Sequence, residues 1–444
     1  MINPEFTATS LATDLRQGKV SLEDFYKKFM LTFAEVDKKI NSFSEFREEY
    51  VLNQAKVLDT SRRNGKLTGK LFGVPIGISD NISTYDFYTE LGSKIYKGQQ
   101  LSNDSTVVER LRKEDAIILG KTHISEFAVQ RSSKTLNPYD IKKCPGGSMS
   151  GAAVAVATGL VPLSVGSQSN ATIIRSASYC GVYGFKPSRN LVPCTGLIKK
   201  SSTTEAIGYF ARTVEDLGFV LEIIAGYDGI DEKTMGHSSR NYLEILMQTP
   251  PFNPKFVFVN NQSFNKFEKS TKKVFRSLTK YLKKNLSEVD LPNNISESEK
   301  LHKIIYEVEL SHSLSKEFEK NRNLLSSGIK DKIISGKKIS GCDYLKAIEN
   351  SEKVKDAFLD FFEHFDAILA PATHSGAPVL GTNGLNDTYL SALWSLCGFP
   401  VVCLPLLKLD NSMPLGVQLI GAPNDDARLL RTARWLVNSF GSNQ

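Results

Sequence analysis

Apolar and polar positions alternate along this chain in two distinct rhythms, one helical and one strand-like. Residues 8–60 carry the helical rhythm. Ser21 precedes the amphipathic run LEDFYKKFMLTFAEVDKKI, and Glu23 in its first turn marks a helix start. LFGVPIGISDNI then reads as a strand interrupted by Gly and Pro. Ser105 opens a further helix, TVVERLRKED, which leads into the strand AIILGKT. Helix followed by strand, repeated, predicts an α/β fold.

Between Lys143 and Arg175 lie 31 residues without a charge. A surface linker of that length is normally charged. The run therefore predicts a loop, a buried helix, a strand and a second loop at the centre of the molecule. The character changes from about Tyr227 to Phe365. FVFVNN reads as a strand, FEKSTKKVFRSLTKYLKKNL as Lys-rich amphipathic helix and SEVDLP as a short strand. Residues 298–363 are mostly helical and strongly charged. Apolar patterning returns in DAILAPAT, LPLGVQLIG and the final helix DDARLLRTARWLVNSF. The pattern contains no internal repeat. It predicts one domain over residues 1–444, with about 240–360 as a variable, charged, mainly helical layer within it.

Composition narrows the class further. Apolar residues make up 41% and charged residues 23% of 444, which suits a globular chain with a large core. The net charge of +7 is spread thinly and forms no basic stripe, so no nucleic-acid partner is expected. The uncharged stretch Thr388–Leu407 could imitate a membrane span. Gly398 and Pro400 break it, however, into a helix through Leu396 and a buried strand at Val401–Leu404. No membrane association is expected, and the N-terminus has no secretory pattern. The six cysteines at 144, 180, 194, 342, 397 and 403 include no CxxC pair. They read as free thiols in a reducing, cytoplasmic setting, with Cys180, Cys397 and Cys403 as packing residues. The six histidines show no metal spacing, so neither a metal nor an organic cofactor is expected.

The chemistry is concentrated in two Gly/Ser clusters, Gly146-Gly147-Ser148 and Ser167 through Thr172, which flank the buried helix. Neither fits a phosphate-binding P-loop, and there is no GxSxG elbow. Hydroxyl-rich loops of this kind can bind an anion or set a nucleophile beside backbone N–H donors.

These clusters and their surroundings resemble the amidase signature family. The matching segments are GVPIGISDNI (73–82), GKTHISEFA (120–128), CPGGSMSGAAVAVA (144–157), GSQSNATIIRSASYCGVYGFKPS (166–188), ARTVEDLG (211–218) and the C-terminal DAILAPAT and PLGVQLIG. The 240–360 region matches least. The resemblance implies a single-domain α/β/α sandwich around a large mixed sheet of roughly ten or eleven strands. The charged helices around 298–363 are then expected near the mouth of the site. It also implies amide C–N hydrolysis by a Ser–Ser–Lys triad. A neutral lysine takes a proton through a bridging serine in a cis peptide, and a second serine attacks the amide carbon beside a glycine-rich oxyanion loop.

Transferred residue by residue, the triad is degenerate. Ser79 stands before Asp80-Asn81, where the family has its lysine base. Ser148 matches the bridging serine, but Met149 replaces the serine beside it. Thr172 stands at the nucleophile position, 24 residues after Ser148 as the pattern requires. Ser169, Asn170 and Ala171 form the oxyanion-loop segment, with Asn170 and Ala171 replacing small, usually glycine, residues. Ser176 stands where proline is usual. Serine has no suitable pKa near neutrality, and loss of base assistance typically costs about 10²–10⁴-fold. Threonine adds a methyl and stiffens χ1. Among other lysines, Lys121 and Lys186 fall where the family commonly has lysine, and Lys142 and Lys143 precede the second motif.

The favoured reading is an amidase-family protein that is catalytically impaired or inactive and retains a site for a small amide, a related ligand or a partner. Gly147, Met149 and Arg175 are pocket candidates beside the triad positions. An active amidase using Thr172 and a relocated base is the alternative. A third reading is the glutaminase subunit of an amidotransferase, whose relatives usually carry aspartate where this chain has Gln168. A homodimer is expected from the resemblance alone. Asp80 and Asn81 are expected to hold their loop through Asx-type bonds. Arg175 is expected to pair with a buried acid or with carbonyls.

Overall fold

The computed structural model describes all residues except 1–5, 67, 130–133, 261–266, 291–297, 382–388 and 442–444. Asn261, Leu291, Pro292 and Thr388, at the ends of predicted segments, lie outside the described residues. Among the described residues eleven strands form one sheet: β1 (Phe43–Phe46), β2 (Pro75–Ser79), β3 (Ile117–Thr122), β4 (Leu163–Gln168), β5 (Tyr183–Lys186), β6 (Ala206–Ala211), β7 (Phe256–Asn260), β8 (Leu286–Asp290), β9 (Ala367–Pro371), β10 (Val401–Lys408) and β11 (Pro414–Ile420). Their spatial order is β1-β3-β2-β4-β6-β5-β10-β11-β9-β7-β8. The sheet is mixed. β2 runs parallel to both β3 and β4, β7 runs parallel to β8 and β9, and the other pairings are antiparallel.

Every residue of β2, β3, β4 and β6 is buried. That burial explains their near-continuous apolar and small-residue runs, since both faces of this part of the sheet are covered. Ile76, Ile78 and Val165 point into a core built with the Thr106–Lys113, Val214–Ile224 and Asp426–Gly441 helices. Ile117, Leu119 and Val401 point into a second core with the Leu22–Ile40, Ser150–Ala157 and Thr172–Cys180 helices. The predicted α/β/α sandwich is therefore the observed architecture.

The uncharged central run folds as loop, helix Ser150–Ala157, β4 and loop. Its helix is buried all round, so it shows no amphipathic stripe. Gly151 makes this possible. A methyl there would meet Ser42 O at 2.4 Å and His123 N at 2.5 Å, so helix and loop backbones pack directly together. The predicted strand ending at Leu404 continues through Pro405 to Lys408. The register shifts between Leu404 and Leu407, and a bulge is where a sheet can hold a proline. The 240–360 region is not helical throughout, in keeping with its strand-like segments. β7 and β8 extend the sheet to its edge. The helices Ser298–Ser313 and Ser327–Lys338 bury Tyr306, Leu310, Ile329 and Ile333 in a third cluster with Leu91 and Phe127. Among the described residues no helix is long and apolar enough to cross a membrane.

Candidate active site

Ser79 ends β2 and Gln168 ends its parallel neighbour β4. The site therefore forms at the carboxyl ends of parallel strands, where side chains leave the sheet and loops supply free backbone groups. The Ser150–Ala157 helix brings Gly147, Ser148 and Met149 to this edge, and the Thr172–Cys180 helix begins there. The fold thus brings all three triad-equivalent positions together. Ser79 is fully buried, Ser148 is 1% exposed and Thr172 is 6% exposed.

The Gly147–Ser148 peptide is cis. Ser148 Oγ donates to the Ala128 carbonyl at 2.9 Å, and Thr172 Oγ1 donates to the Ser167 carbonyl at 2.7 Å. A hydroxyl has one proton, and a carbonyl oxygen can only accept. In this arrangement both hydroxyls donate to backbone carbonyls rather than to each other. Ser79 Oγ lies 3.4 Å from Thr122 Oγ1.

The loop before Thr172 is held from several sides. Gln168 Oε1 accepts from Ile173 N at 2.9 Å and Ile174 N at 3.2 Å, capping the helix. Its Nε2 donates to Ser395 Oγ at 3.1 Å, and Ser395 Oγ donates to the Asn170 carbonyl at 2.8 Å. A carboxylate here would make the same cap and add charge at the helix's positive end. The neutral amide keeps only the hydrogen bonds. Ser169 and Ala171 are buried, and Asn170 is half-buried. The Arg175 guanidinium, also buried, donates to the Gly147 carbonyl, tying one Gly/Ser loop to the other.

Asp80 accepts from Glu90 N at 2.8 Å and Gly92 N at 2.9 Å. It holds its loop as expected, but across ten and twelve residues rather than through a local turn. Asn81 Nδ2 donates to Ser167 Oγ at 2.9 Å.

Lys121, Lys186 and Lys142 each have other surroundings than Ser79. Lys121 pairs with Ile78 in the β2/β3 register and Thr122 pairs with Ser79, so Lys121 lies on the opposite face of the sheet from Ser79. It donates to Thr89 Oγ1 at 3.0 Å and to the Ile82 carbonyl. Lys186 donates to the Pro187 carbonyl, and Lys142 is exposed. Burial lowers the Lys121 ammonium to about 8, partly offset by the neighbouring Asp80 carboxylate. Between that value and the ordinary 10.5 the unfolded chain binds a proton that the folded chain does not. Stability therefore rises with pH across this window, and the full cost of charging the buried group is present below it. Lys121→Met should flatten the rise in urea midpoint between about pH 8 and about pH 10. Equal slopes in wild type and variant would show that Lys121 is not the source.

Two features escaped sequence reasoning. Lys200 and Glu205 form a buried pair at 2.7 Å, and Ser167 Oγ donates to the same Glu205 oxygen at 2.7 Å. Residues 199–205, KKSSTTE, contain no apolar residue, and only tertiary cover makes this run largely interior. From the Ser298–Ser313 helix, His302 Nε2 lies 2.9 Å from the Ser169 carbonyl, and its ring stacks on Tyr306. Burial lowers the His302 pKa, so the ring is neutral, and its carbonyl partner places the proton on Nε2. Glu309, on the same helix, accepts from Ser201, Thr203 and Tyr344. The charged helical layer is thus fastened directly over the loop that precedes Thr172, as its expected place near the site implied.

A mostly buried Gly/Ser edge on a large mixed sheet is the arrangement that the resemblance to the amidase signature family implied. The amidase family model matches residues 24–430, and the chain belongs to that family. It is 31% identical to a glutamyl-tRNA(Gln) amidotransferase subunit of Fusobacterium nucleatum, over 98% of this chain and 97% of that one. The subunit of the same description from Geobacillus thermodenitrificans is also 31% identical, with 97% and 96% covered. Among solved structures, a chain described as part of a vestigial protein complex that reveals the origins of an s-triazine catabolic enzyme superposes with TM-score 0.91 at 25% identity. That match covers 98% of this chain and 99% of the other. The glutamyl-tRNA(Gln) amidotransferase subunit of Thermotoga maritima superposes with TM-score 0.80 at 27% identity, covering 97% and 94%.

Proposed function

We propose that this chain is an amidase-family protein with a silent hydrolytic centre, retained in the cytoplasm to bind a small amide-like ligand or a partner protein. The observation that carries the reading is the commitment of both the Ser148 and Thr172 hydroxyls to backbone carbonyls, with Ser79 where a base is needed. A hydroxyl without a base in reach is a weak nucleophile. The scaffold around it, with the Gln168 cap and the buried Arg175 that ties the two loops together, supports retention of the site for binding.

A panel assay of small carboxamides, including propionamide and L-glutamine, tests this reading. Wild type and Thr172→Ala are expected to be equally inert. Turnover by wild type that Thr172→Ala abolishes would sink the reading in favour of an active enzyme with Thr172 as nucleophile.

A second reading has its own support. The curated relatives named above are components of an amidotransferase, so a role as the scaffold component of a complex fits the same silent centre. Under that reading the chain purifies from its source at a defined larger mass, together with one stoichiometric partner. A homodimer gives twice the chain mass and no second polypeptide.

A further inference from the structure

Gly166, in β4, faces the same core as Ser79 and Met149. A methyl group on Gly166 would sit 3.0 Å from Ser79 Oγ, 3.1 Å from Met149 Sδ and 3.3 Å from Met149 Cγ. The missing side chain lets the serine hydroxyl and the thioether both close on the strand backbone, so the trough beside position 166 is filled by these two residues. Both residues are fully buried, so the trough has no solvent side into which an added side chain could relax. Met149 also belongs to the apolar core around the Ser150–Ala157 helix rather than to an open wall.

We infer that Ser79 and Met149 are one packing unit that shares the Gly166 trough, so that the side chain at 149 sets the volume position 79 can hold. The physical basis is volume. A longer side chain at 79 that extends past its present Oγ beside Gly166 enters space bounded by the Met149 thioether. Interiors are packed so closely that an added side chain forces displacement, whereas volume-conserving exchanges are tolerated. A long residue at 79 with a short one at 149 fills the same trough as the present pair. Methionine suits the irregular remainder of the trough because it is unbranched and polarisable. The inference deepens the silent-centre reading, but its test does not depend on activity.

The test is a stability cycle on the full chain with Ser79→Met, Met149→Ser and the double variant that exchanges the two residues. Each single change is expected to lower Tm by several degrees, Ser79→Met by overpacking and Met149→Ser by leaving a cavity. The exchange variant is expected to recover more than half of the summed loss. If Ser79→Met yields no soluble protein, Ser79→Val against Met149→Ala reads the same coupling with smaller steps. Additive losses in the cycle, or an unchanged Tm for the enlarged residue at 79, would overturn the inference. Amide turnover by wild type would overturn the silent centre and leave the cycle's result standing, so the two failures are distinguishable.

Discussion

Installing Ser79→Lys, Met149→Ser, Asn170→Gly, Ala171→Gly and Thr172→Ser together should raise hydrolysis of a small carboxamide at least about 10²-fold above wild type, the low end of what a positioned base supplies. Each change answers a specific deficit. The lysine restores a group whose pKa burial can bring toward neutrality, as burial already does for Lys121. Serine at 149 opens the Gly166 trough for it. The two glycines relax the loop whose carbonyls are held by Ser395 and His302. Serine at 172 removes the methyl that limits χ1, freeing the hydroxyl to turn from the Ser167 carbonyl toward Ser148. Residues of one triad act as a unit, so Ser79→Lys alone should gain nothing. Rates on propionamide and L-glutamine, with far-UV circular dichroism to confirm folding, provide the measurement. A folded five-residue variant that stays inert would move the deficit to the helix layer above the loop.

The second large effect is on stability. Lys200→Met should cost about 3–5 kcal/mol, because it leaves the Glu205 carboxylate buried without its cation. Glu205 still accepts from Ser167 Oγ and from the backbone N–H at position 200 in the variant, but two neutral donors do not replace the ammonium. The double variant Lys200→Met/Glu205→Gln should recover most of the loss, since no isolated charge remains. Urea denaturation of the three proteins measures both differences. A loss below about 1 kcal/mol for the single variant would mean that the pair is effectively solvated. The pair also bears on the site, since Ser167 carries both the carbonyl that holds Thr172 and the hydroxyl that reaches Glu205.

Much of the architecture is legible in local pattern. The buried strands β2, β3 and β4 announce themselves as apolar and small-residue runs, and Ser21 and Ser105 cap the helices they precede through Asp24 N and Val108 N. These signals are local because burial and capping act within a few residues. The β10 boundary was not legible. A proline normally ends a strand, and only the bulge beside β11 lets Pro405 stay inside one. The residues Ser79, Met149, Asn170 and Thr172, on which the proposed silent centre rests, are a matter of residue identity at family motif positions and need no contact to be read.

What sequence by itself determined is therefore the α/β class and the family. Residue types at fixed spacing carry that information without reference to any contact. Tertiary structure decided where the remaining hydroxyl protons go, that Lys121 faces away from Ser79, and that Lys200, Glu205 and His302 belong to the site's surroundings. These facts depend on which face of the sheet a side chain leaves and on which distant segment covers it. Hydrogen bonds such as His302 to Ser169 join residues 133 positions apart. No periodicity in the chain encodes such pairs, because they exist only once the sheet and its two helical layers have closed around them.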